Sequence, residues 1–102
     1  MEITKEIYSV TKKFPDDERF GLVAQMRRSA ISIPSNIAEG FNRYHNKEYR
    51  HFLFTALGSL AELETQVELS FQLKYLLEKL KLSLLEKLDH ETGMIRNLIK
   101  KL

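Results

Sequence analysis

Glu48-Tyr49-Arg50-His51 sets a carboxylate and an imidazole three residues apart, a spacing that puts both on one face of a helix. Di-iron helical bundles use such a Glu-x-x-His pair twice and add two further glutamates from other helices. This chain has the pair once, near a helix start, where glutamate is also favoured by the helix dipole. His90-Glu91 does not repeat the spacing. No metal site and no cofactor are therefore expected. Nucleophilic chemistry fares worse, because the chain has no cysteine, no Gly-x-Ser-x-Gly elbow and no phosphate-cradling glycine loop. The sequence reads as a non-enzyme, with His45 and His51 as exposed polar residues beside a helix cap.

The best functional candidate is a basic set: Arg27, Arg28, Arg43, Lys47 and Arg50. Arg28 and Arg43 fall on the polar side of a second helix, and Lys47 and Arg50 begin a third across a short connection. Cations so placed can neutralise phosphates of RNA or DNA, and interleaved Tyr44 and Tyr49 can stack on unpaired bases. The plainer reading makes them solvated helix ends, partly paired with Glu39 and Glu48. A third group, Asn36, Glu39, Glu62 and Glu64, sits among apolar residues. A buried hydrogen-bond network between helices two and three, with Arg27 or Arg28 neutralising Glu62, explains it better than a pocket, since polar groups removed from water need partners.

These residues need rods to hold them, and the apolar spacing supplies four. Ile3, Ile7, Val10 and Phe14 form a first helical stripe, stopped by Pro15. A second helix is expected from about Asp17 to Gly40, capped by Asp16 or Asp17, with the seam Val23, Met26, Ala30, Ile33 and Ile37. Beside it runs a second stripe of Phe20, Ala24, Ile31, Ala38 and Phe41. Pro34 lacks the N–H that would bond the Ala30 carbonyl, so one kinked helix is expected rather than two. With Asn46 as N-cap, a third helix runs from about Lys47 to Tyr75. Its seam is Leu53, Ala56, Leu60, Leu63, Val67 and Ser70, and Phe52, Phe54, Leu57 and Ala61 widen it enough to reach a second surface. A last helix from about Glu78 to Leu102 carries Leu80, Leu84, Leu88, Ile95, Leu98 and Leu102, with Gly93 inside it at some cost. The fold class is all-α, an up-down-up-down four-helix bundle with a kinked second helix.

Several blocks carry a family resemblance: Phe14-Pro15, Glu18 to Leu22, Gln25 to Ala30, Ser32 to Gly40, Glu48-Tyr49, Phe52-Leu53, Ala56 to Ser59 and Glu62 to Gln66. The chain resembles the four-helix bundle family of proteins encoded in intervening sequences of bacterial 23S rRNA genes. That family includes the accessory variability determinant of diversity-generating retroelements, a basic barrel that associates with nucleic acid and a reverse transcriptase. The resemblance implies a ring-like homopentamer without established enzymatic activity. Two departures stand out: the first helix is short for a member, and Lys74 stands where the turn usually has glycine. Gly58 and Ser59 are expected to let facing helices approach closely.

The bulk composition sets outer limits. Residues 1-102 make one domain, small enough to gain from oligomerisation. A net charge of +2 does not by itself call for a nucleic-acid partner, so a protein partner, bound as a helix in an apolar groove, is the alternative. No apolar run approaches the ~18 residues that a membrane span requires. Without cysteines or a signal-peptide core at Met1 to Glu6, a cytoplasmic location is expected.

Overall fold

The first helix stops at Thr11, short of Pro15, and the chain turns over Lys12 to Phe14. A computed structural model of the protein describes residues 2–102. Helix α1 spans Glu2–Thr11, α2 Leu22–Phe41, α3 Asn46–Gln72 and α4 Glu78–Lys100, with a 3-10 turn at Asp16–Glu18. Each helix packs on its chain neighbour, and α1 also packs on α4. Cross-links fix the directions: Thr4 meets Ala30 and Thr11 meets Arg27, while Ser32 meets Ser59 and Met26 meets Ser70. Both pairs run antiparallel. The result is an up-down-up-down bundle, elongated to 44 × 24 × 18 Å.

Most of the seams read from spacing form the core, but Leu80 of the last helix is 42% exposed and Ile37 of α2 only half-buried. Val23, Met26, Ala30 and Ile33 of α2 are buried against Leu53, Ala56, Leu60, Leu63 and Val67 of α3, each of the latter at most 1% exposed. Ile3, Ile7 and Phe14 close one side, and Leu84, Leu88 and Ile95 of α4 the other. Complete burial stabilises each large aliphatic side chain by about 1.5–3 kcal/mol, so this seam dominates the energetics. The predicted second stripe of α2 does not join it. Phe20 is 88% and Phe41 72% exposed, and Ile31 and Ala38 also face out. The first helix explains part of this. Thr4 lies opposite Ala30, so α1 reaches α2 to about that level, and beyond it Ile31 and Ala38 face out and Phe41 meets only the edge of Tyr49.

Boundaries moved for local reasons. Helix α2 begins at Leu22 rather than Asp17, and neither aspartate caps it; the N-cap is Gly21. Glu18 takes that role from the preceding turn: its Oε1 accepts the Leu22 N–H at 3.3 Å, and its Oε2 accepts the Tyr75 hydroxyl at 2.9 Å. That second bond raises the Tyr75 phenol pKa. Asn46 is the first residue of α3, not its cap, and the N-cap His45 makes no side-chain bond. Helix α2 is continuous through Pro34. The Ala30 carbonyl, deprived of its amide partner, accepts the Thr4 hydroxyl at 3.2 Å.

Helix α3 ends at Gln72, three residues before the expected Tyr75, because Lys74 adopts φ 68. The Tyr75 N–H bonds the Ser70 carbonyl and the Lys74 N–H bonds that of Phe71, both at 2.9 Å, a Schellman closure. Tyr75 then packs on Phe14 at a ring separation of 5.3 Å. A lysine in the left-handed region is strained, and its side chain is exposed. Lys74→Gly is therefore expected to stabilise the fold by about 0.5–1 kcal/mol, read as a higher urea midpoint at unchanged slope.

Candidate nucleic-acid interface

The five candidate cations do not form one cluster. Arg27 turns toward α1, where its Nε donates to Thr11 Oγ1 at 3.0 Å and a terminal nitrogen to the Tyr8 carbonyl at 3.3 Å. Its guanidinium also lies over the Tyr8 ring, 4.6 Å from the centroid. Those contacts tie α1 to α2 and hold the guanidinium against α1, with two of its N–H groups engaged. Arg28 is exposed and bonds Gln25 at 3.1 Å. It precedes Phe41, the last residue of α2, by thirteen residues, roughly 20 Å along the helix axis at the usual rise, and Arg43 lies beyond that end.

Arg43, Lys47 and Arg50 do share one end of the molecule, where α2 passes into α3. Arg43 and Lys47 line an exposed recess with Glu48, His51 and Phe52. The Arg43 guanidinium sits over the Phe52 ring at 4.9 Å and forms an ion pair with Glu39, one helical turn back. Lys47 is exposed and Arg50 half-exposed, and neither has an ion pair among the described residues. Three cations against Glu39 and Glu48 leave this end one net positive charge per copy. The Glu48–His51 pair belongs to the same recess. Among the described residues, no three His, Cys, Asp or Glu side chains converge as a metal site.

Gly40 builds this end, and sequence reading missed its purpose. It does not stop the helix; it lies buried in the last turn of α2. A Cβ there would stand 2.9 Å from both Phe52 Cβ and Tyr49 Cδ1, and 3.3 Å from the Tyr49 carbonyl. Only a bare α-carbon permits the approach that sets Arg43 against Phe52. Phe41 then packs edge-on against Tyr49 at 6.3 Å, which leaves Tyr49 half-buried. Tyr44, in the connection, is 99% exposed.

The expected acid-rich network is smaller and neutral. Asn36 Nδ2 donates to the Ser32 carbonyl at 2.7 Å and to Ser32 Oγ at 2.9 Å, and Ser59 Oγ bonds Ser32 Oγ at 2.7 Å. This links α2 to α3. Glu39 faces Arg43 on the surface, and Glu62 is exposed without a partner among the described residues, since Arg27 is committed to α1. Ser59 serves the close packing, but Gly58 does not: nothing lies within 4 Å of a Cβ placed there.

Fold and site together define a helical bundle whose α2–α3 end gathers cations and aromatic rings. A family model described as 23S rRNA-intervening sequence protein matches residues 1–97, and the chain belongs to that family. The family has no established function. No curated protein matches the chain. No helix among the described residues is long and apolar enough to cross a membrane.

Proposed function

We propose that the protein is a non-enzymatic, self-associating bundle that holds nucleic-acid backbone at its α2–α3 end through Arg43, Lys47 and Arg50. The observation that carries this reading is the meeting of Arg43 and Lys47 around one exposed recess. Arg28 is a separate cation on the same helix, and Arg27 acts as a brace rather than a phosphate ligand. Self-association, as the homopentamer of the family resemblance, repeats a modest charge five times and strengthens its field.

Exposed apolar side chains are what assembly would cover: Phe41 and Ile31 of α2 and Phe54 and Leu69 of α3 are among them. A second reading, a protein-only adaptor for a partner helix, rests on the apolar recess of Pro34, Ile37, Ala38, Phe41 and Asn42.

Solution mass and a salt-dependent gel shift with RNA and DNA test the proposal together. Binding is expected to weaken with salt at a log–log slope of about −2 per engaged copy, from three phosphate contacts. Glu39→Gln frees Arg43 from its competing carboxylate and is expected to raise affinity about two- to fivefold, the worth of an exposed ion pair. A mass of one chain rejects the assembled form. No shift at ~50 mM salt rejects the nucleic-acid reading and favours the adaptor.

A further inference from the structure

We infer that the α2–α3 end takes a single strand rather than a duplex, with Tyr44 as the platform on which a base stacks. The inference rests on the nucleic-acid reading above and names the form of its ligand. Two aromatic residues neighbour the cations in sequence, and the structure separates them. Tyr49 is half-buried, with Phe41 packed against its ring and Gly40 closing behind it. No base can reach its faces without dismantling the helix junction.

Tyr44 is the opposite case. It sits on the bend between α2 and α3, 99% exposed, with no hydrogen bond or ring contact among the described residues. Its phenol ring contributes nothing to the packing of this chain. The neighbouring Arg43 lies against Phe52, and Lys47 follows on the first turn of α3 beside the same recess. An open aromatic face beside backbone-neutralising cations suits a strand whose bases are free. In a duplex the bases are already stacked, and a lone ring on a convex bend has no groove edge to read. Base–aromatic stacking tolerates any sequence, because every base offers a π face.

The test uses the full chain with oligouridylate, oligothymidylate and a mixed-sequence duplex of matched length, at ~50 mM salt. Both strands are expected to bind more tightly than the duplex. Tyr44→Ala is expected to lower strand affinity about tenfold or more and to leave the duplex unchanged, while Tyr44→Phe keeps the strand preference. The protein has no tryptophan and four tyrosines, so stacking should quench tyrosine emission in the native chain but not in Tyr44→Phe. Equal binding of strand and duplex, or a Tyr44→Ala variant that binds strands normally, overturns the inference while the nucleic-acid reading stands. Failure of all three probes to bind overturns both. A difference between the two strands identifies RNA or DNA as the preferred source.

Discussion

Gly40→Ala is expected to destabilise the protein by about 2–3 kcal/mol, near the top of the range for overpacking. At this chain length that lowers the melting temperature by ~10 °C or more. The new methyl would stand 2.9 Å from Phe52 Cβ, which is fixed to the α3 backbone and cannot swing aside as a side-chain tip can. Relief requires the start of α3 to move off α2. Arg43 would then lose its seat over Phe52, so under the proposed function nucleic-acid affinity should fall with stability. Gly93→Ala is the matching control, since Gly93 lies in α4 with nothing within 4 Å of an added Cβ. It should be stabilising by about 0.5–1 kcal/mol, the ordinary preference of a helix interior for alanine. Thermal melts that move both variants the same way would remove the close-approach account of Gly40.

Thr4→Val is the second large effect, with an expected loss of about 1–3 kcal/mol. Valine nearly matches threonine in shape, so the packing of half-buried residue 4 survives and the hydroxyl donor alone disappears. The Ala30 carbonyl then has neither an amide, because residue 34 is proline, nor the hydroxyl 3.2 Å away. A double-mutant cycle isolates the coupling. In a Pro34→Ala background the backbone regains its donor, and Thr4→Val should cost less than ~0.5 kcal/mol. Equal losses in both backgrounds, measured by urea denaturation, would show that the hydroxyl does not serve the orphaned carbonyl.

These two positions also mark how far the sequence could be read. Pro34 announced an unpaired carbonyl at Ala30, because the missing N–H is a covalent fact. That Thr4 would supply the replacement was not legible, since it lies twenty-six residues away and on another helix. Lys74 was legible as a departure at a turn, and its left-handed backbone gives that departure a physical form. The basic set shows the reverse. Five cations close in sequence read as one patch, yet Arg27 faces α1 and Arg28 stands well down the rod. Glu62 looked like half of a buried pair, yet it is exposed, Arg27 holds Thr11 and Arg28 bonds Gln25.

The sequence alone determined the four rods and the main seam of α2 and α3, because a 3.6-residue period must put Val23, Met26, Ala30 and Ile33 on one side and Leu53 to Val67 on another. It also determined that the first helix could not pass Pro15, which keeps Phe14 out of the α region, although the helix itself stops at Thr11. Tertiary structure decided which of the two apolar stripes of α2 became core: α1 reaches only to about the level of Ala30, and Phe20 at the other end is 88% exposed. It decided, too, that Gly40 is a contact and not a stop, and that Tyr44 rather than Tyr49 stands open. Such outcomes depend on how near one backbone comes to another, a distance that no local pattern of residue types encodes.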